Sequence, residues 1–211
     1  MPAVETAYGA QVVANTARDL VVTNWATVCD AAWCKAMGAP NLPAPVAANI
    51  YTSQRSLFEA ESQPAIGLTV TRTDARIVDA LGAMDQTHEL EITICSDWGY
   101  YDANGDAEPL VKADPNDPQI PFTIETYETA LRAFVEGIVM ILCSPTYGFI
   151  NLDARNTSTP GYVTTGIYNA SPATGITPQD FVLGEDDTGN TLVQQTVRAT
   201  IQVQQRRSLA R

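Results

Sequence analysis

Apolar and polar positions change period several times along the chain, and each change marks an element. Residues 4–37 contain no proline, and Gly9 is their one glycine. Leu20, Trp25, Val28, Ala32 and Trp33 share one broad face of a helical repeat, so the segment reads as mainly helical. Gly38, Pro40, Pro43 and Pro45 end it and open a loop over residues 38–49. Two period-two stretches follow. Ile66, Leu68 and Val70 alternate with Gly67, Thr69 and Thr71; His88, Leu90, Ile92 and Ile94 alternate with Glu89, Glu91 and Thr93. One apolar and one polar face is the pattern of a half-buried strand.

The clearest helix runs from Ile124 to Cys143. Ile124, Tyr127, Leu131, Phe134, Ile138, Ile141 and Leu142 step by three and four residues, an apolar stripe made to lie on a sheet. Thr123 suits the N-cap, Glu125 and Glu128 suit the positive end of the dipole, and Ser144-Pro145 ends the helix. A final strand places Val197, Ala199, Ile201 and Val203 on one face and Arg198, Thr200, Gln202 and Gln204 on the other. Residues 144–190, rich in Gly, Pro, Thr, Ser and Asn, read as a long loop of the kind that carries binding or docks late. No internal repeat is visible.

These elements predict an α+β fold with a mixed or mainly antiparallel sheet. The long amphipathic helix packs on one face, joined by an additional N-terminal helix. A length of 211 residues suits a single domain. Within it, residues 1–62 form a helical region and linker, 63–143 and 191–205 the α+β core, and 144–190 an insertion.

Composition narrows the function classes. With 45% hydrophobic and 17% charged residues, the chain is too apolar for a disordered protein and too polar for a membrane one. Its longest strongly apolar stretch, Phe134–Cys143, contains Glu136 and is far short of a membrane span. The N-terminus lacks a basic region followed by an apolar core, so assembly in a cytoplasm is expected. A net charge of −12 argues against nucleic-acid binding through a basic surface.

Charge is also uneven. Residues 97–128 hold eight acids (Asp97, Asp102, Asp106, Glu108, Asp114, Asp117, Glu125 and Glu128) against Lys112 alone. From Arg198 onward the chain holds Arg198, Arg206, Arg207 and Arg211 and no acid. Asp102, Asp106, Glu108, Asp114 and Asp117 are therefore candidates for an acidic interface or lumen, and Arg206, Arg207 and Arg211 for a basic interface tail.

Little points to catalysis. Cys29, Cys34, Cys95 and Cys143 lack the close pairing of a zinc site and read as buried or half-buried thiols. His88, the single histidine, reads as a hydrogen-bonded residue on the apolar face at a strand start, at the sheet edge. Asp102, Asn104, Asp106 and Glu108 alternate as calcium ligands do. Gly105 stands fourth rather than sixth, however, and no glutamate occupies the twelfth place, so a turn is preferred. The acidic stretch 184–190 likewise reads as a hairpin or strand-entry turn. No phosphate-binding glycine loop and no GxSxG elbow occurs. Catalytic residues, metal and cofactor are all expected to be none.

The order of elements resembles the tail terminator (tail completion, or neck) proteins of tailed bacteriophages. The resemblance lies in QPAIGLTVTR (63–72), THELEITICS (87–96), TYETALRAFVEGIVMIL (126–142) and VRATIQVQQRR (197–207), which together cover roughly half the chain. Residues 1–62 and 144–190 are longer than in the compact family pattern. The resemblance implies a sheet with helices packed against it and a homo-oligomeric ring, a hexamer, at the head–tail junction of the virion. Its implied partners are copies of itself, the tail tube protein, the head–tail connector or neck protein and, in a contractile tail, the sheath protein. DNA would pass without specific binding, repelled by carboxylates from segment 97–128. Two alternatives suit the same composition. One is another virion component, such as a head completion or minor tail protein. The other is a small acidic enzyme or calcium-dependent binding module using residues 97–117.

Overall fold

A computed structural model describes residues 9–39, 42, 44–53, 65–78, 84–101, 107–109, 124–150, 166–178, 182–185 and 191–207. It shows an α+β fold in which helices cover one face of a mixed sheet. Helix α1 (Ala10–Val28) and the short α2 (Ala31–Ala36) precede a 3₁₀ turn (Ala47–Asn49) and β1 (Ile50–Tyr51). Then come β2 (Ala65–Ile77), β3 (Met84–Tyr101), β4 (Ala107–Pro109) and α3 (Ile124–Cys143). Strands β5 (Ile167–Pro172), β6 (Thr177–Pro178), β7 (Val182–Glu185) and β8 (Thr191–Arg207) complete the chain.

The main sheet has the order β1-β2-β3-β8-β5. Only β1–β2 is parallel, Ile50 lying beside Ile66; the β2–β3, β3–β8 and β5–β8 pairs are antiparallel. The alternation in the sequence is realised as cross-strand rows. Leu68, Ile92 and Ala199 form one, and Val70, Leu90 and Ile201 another. Both lie on the face that α1 and α3 cover, where Leu68, Leu90, Ile92, Ile94, Val197, Ile201 and Val203 have no exposed surface.

The two helices pack on each other as well as on the sheet. Trp25 and Phe134 meet with ring centroids 4.7 Å apart, tilted by 32°. The α3 stripe is buried at Leu131, Phe134, Ile138, Ile141 and Leu142. Close approach depends on Gly137, where a Cβ would lie 2.7 Å from Cys29 Sγ and 3.0 Å from the Trp25 ring. Asn24, buried in the same contact, donates to the carbonyls of Leu20 (3.0 Å) and Tyr147 (3.2 Å), so the loop after α3 is tied to α1.

Several expectations are corrected. The segment 4–37 is not one helix. It breaks at Cys29–Asp30, because the Asp30 carboxylate accepts from the Trp33 amide (2.8 Å) and starts α2 as an N-cap. Ala32 is consequently exposed. The strands are longer than their alternating cores, since pairing continues where both faces are polar. Residues 144–190 are not all loop: β5, β6 and β7 lie within them and pair with β8. These strands are short and punctuated by Pro and Gly, so no apolar alternation announces them. Thr123 lies outside the described residues.

Gly137→Ala is expected to lower the unfolding free energy by ~1–3 kcal/mol through overpacking, despite the better helix propensity of alanine. Adding Cys29→Ala should recover part of the loss. Urea midpoints of the two variants check this, and an undiminished midpoint for Gly137→Ala would mean that α1 does not press on α3 there.

Candidate functional site

Asp102, Asp106, Asp114 and Asp117 lie outside the described residues, as does Arg211. Glu108 is on β4, opposite Tyr100 of β3, and Tyr101 pairs with Ala107, antiparallel. Glu185 of β7 pairs with Thr191 of β8, antiparallel; residues 186–190 of the second acidic stretch lie outside the described residues.

The basic candidates are placed differently from a tail. Arg206 and Arg207 belong to β8, beside Asp85 and Met84 of β3. The Arg206 guanidinium donates from Nε (2.6 Å) and Nη2 (2.9 Å) to the two oxygens of Asp85 and lies 5.3 Å from the centre of the Tyr168 ring on β5. That hydrogen-bonded guanidinium holds the Asp85 carboxyl below the usual carboxylate range. Arg206 is thus a cross-strand fastener joining β3, β8 and β5, a role that extends the strand pairing to its end.

Around it the uncovered face of the sheet is a lattice of charges. Arg76 pairs with Asp85, Asp74 with Thr87, and Arg72 with Glu89 across β2–β3. Arg72 also contacts Asp74 (3.0 Å) and Glu89 (3.9 Å). Beyond Val70 every β2 residue is exposed, so this part of the β2 edge lies outside the packed layer, while β3 beside it stays half-buried between β2 and β8.

Where this edge meets the core, buried polar groups replace aliphatic ones. His88 has no exposed surface and sits between Thr73 of β2 and Val203 of β8, in a central strand rather than at the sheet edge, and four residues into it. Its Nδ1 is 2.9 Å from Thr73 Oγ1 and its Nε2 is 3.2 Å from Gln205 Oε1. Gln205 Oε1 also accepts from the Gly9 amide (3.1 Å), so it faces His88 as an acceptor. Nε2 therefore carries the proton, and Nδ1 accepts from the Thr73 hydroxyl. Gly9, at φ 106, sits in a region that favours glycine, and this aims its amide at Gln205 as α1 begins. A neutral imidazole satisfies every partner, which is the arrangement of a structural histidine. The sequence signal for it was the single polar residue on an otherwise apolar strand face.

Chemistry elsewhere is sparse. Among the described residues no group of three or more His, Cys, Asp or Glu can hold a metal ion, and no helix is long and apolar enough to cross a membrane. Cys29, Cys34 and Cys95 are buried and Cys143 half-buried. Burial pushes the thiol of Cys29 up to about 12 and that of Cys143 up to about 11, which keeps both protonated and poorly nucleophilic. An open groove of about 450 Å³ lies between Met37, Thr129, Arg132, Ala133, Glu136 and Ile176. It presents no nucleophile beside a base.

No family model matches the chain, and no curated protein sequence matches it.

Burial holds His88 below its ordinary value of 6.5, with the Gln205 hydrogen bond opposing the shift. The unfolded chain therefore binds this proton at a higher pH than the folded one. The stability His88 contributes is complete above the unfolded value and is lost as pH falls below it. Lowering the pH from 7.5 to 5.5 should cost up to about 1.4 kcal/mol. His88→Gln should flatten that limb. Urea denaturation at the two pH values checks it, and equal pH dependence in both proteins would assign the titration elsewhere.

Proposed function

We propose that this chain is a non-enzymatic structural protein of a virion, a ring-forming tail terminator at the head-proximal end of a phage tail tube. One observation carries the reading. A sheet covered by helices on one side runs on to a charged end whose β2 edge is exposed and, among the described residues, unpaired on its outer side beyond Gly67. Such surface suits contacts with other chains. The element order that resembles the tail terminator family is supported by the α+β architecture, since β2, β3, α3 and β8 fall on the four resembling stretches. Protonated thiols and a structural histidine give no competing support to catalysis.

On this reading the partners are further copies of the chain, the tail tube protein and the connector or neck protein. The acids of segment 97–128 keep DNA phosphates from adhering as the genome passes. Antibody-gold labelling of the particles whose genome encodes the chain tests the proposal. Gold should collect at the head–tail junction. Label along the tail or at its tip would reject the terminator role, and unlabelled particles would reject a virion role altogether.

A further inference from the structure

The outer edge of β2 is long, exposed and charged in a specific order. Its first residues are covered by β1, which pairs only with Ile66 and Gly67. Thr71 to Ile77 are all exposed, Ile77 by 71%, and Val78 beyond the strand by 46%. An open strand edge is a template for a further strand, and proteins commonly guard one with charges of a single sign, which repel every approaching copy. Here the signs alternate. Arg72, Asp74 and Arg76 share the polar face, opposite Glu89, Thr87 and Asp85 of β3.

We infer that this edge pairs with the same edge of a second copy, antiparallel about a two-fold axis at Ala75. The charges select the register. With Asp74 on the axis, Asp74 would face Asp74 and Arg72 would face Arg76 with like sign, which is unfavourable. With Ala75 on the axis, Asp74 of each copy faces Arg76 of the other, and Ile77 faces Thr73 on the opposite face of the ribbon. A two-fold axis at Thr73 would set Arg72 against Asp74. That register would only duplicate a pair already closed within each chain, Arg72 with Asp74 at 3.0 Å. Arg76 stands opposite Asp85, whose carboxylate is bound by Arg206, so the Ala75 register gives Arg76 a second carboxylate, Asp74 of the other copy, which it shares with Arg72. The contact also removes part of the exposed Ile77 surface from water. It is isologous and complete with two copies, so it goes beyond the ring reading and does not depend on it.

Sedimentation equilibrium of the full chain, with disulfide trapping, tests the pairing. The wild type should reach twice the 22.7 kDa chain mass or, where dimers assemble further, an even multiple of it. Arg76→Asp should weaken association at least tenfold by setting Asp against Asp74. Asp74→Arg combined with Arg76→Asp should restore it, since the signs are exchanged together. Ala75→Cys should cross-link to itself under mild oxidation, because residues on such an axis lie about 4.5–5.5 Å apart between Cα atoms, inside the range a disulfide spans. Thr73→Cys should not, and wild-type chain gives the background from its own thiols. A chain monomeric at every attainable concentration with no Ala75→Cys cross-link would overturn the proposal. So would preferential cross-linking at Thr73→Cys, or an oligomer indifferent to Arg76→Asp. In the last case the chain self-associates by another surface, and a head–tail location found by gold labelling would stand.

Discussion

The structure turns on a mismatch of lengths. Helices α1 and α3 have 19 and 20 residues, which at the α-helical rise is about 30 Å each. Strands β3 and β8 have 18 and 17 residues, about 55–60 Å at the rise of an extended chain. The helical layer therefore covers about half the length of the strands it packs on. Within that half, alternate residues must be apolar; beyond it they must tolerate water on both faces. On β3 full burial begins at His88 and continues through Leu90, Ile92 and Ile94, whereas Met84 to Thr87 are half-buried.

The polar cluster at His88 follows from the same mismatch. A strand leaving a core passes through a boundary where an aliphatic side chain would be half wet and a charged one half dry. His88, Thr73 and Gln205 fill that boundary with neutral groups that satisfy one another. The Gly9 amide, otherwise one of the unpaired donors of a helix start, is taken into the same cluster. The end of the apolar core and the start of α1 are thereby fixed at one level of the sheet. Past it, cohesion passes to paired charges such as Arg206–Asp85, which are exposed and individually weak.

What the sequence disclosed follows burial. The α3 stripe and the alternating cores of β2, β3 and β8 were legible because a one-sided environment writes a period into the chain. Their ends were not, because Arg72 to Arg76 and Met84 to Thr87 pair with no apolar face to mark them. Strands β5 to β7 stayed hidden for a related reason: they are added to β8 by backbone hydrogen bonds, and Pro172, Gly175 and Pro178 look like loop. The α1–α2 break rested on one Asp30 cap in a stretch free of glycine and proline. His88 was correctly read as hydrogen-bonded but placed at an edge, since only the long-range pairing with Val203 and Thr73 shows its strand to be central. Of the candidate site, Arg206 was recognisable as a cation near the C-terminus. Its partner Asp85, distant in sequence, was not.

The open β2 edge poses a physical problem that its sequence addresses twice. An edge strand exposed on both faces, as β2 is after Val70, gains little from packing, so it needs help from its own side chains or from a neighbour. Within the chain, help comes from cross-strand ion pairs and from β8, which flanks β3 as far as Arg207. On the β2 side the described residues supply no such strand after Gly67. A further strand there would pair the open edge of the sheet, and the alternation of Arg72, Asp74 and Arg76 favours some strands over others. An edge of uniform sign rejects its own copy and accepts an opposite one; an edge of alternating sign accepts its own copy where unlike charges meet and rejects it when slipped by half a repeat. Incomplete coverage of the sheet by its helices thus leads, through the length of the uncovered strands, to a surface whose charge order favours assembly with another chain.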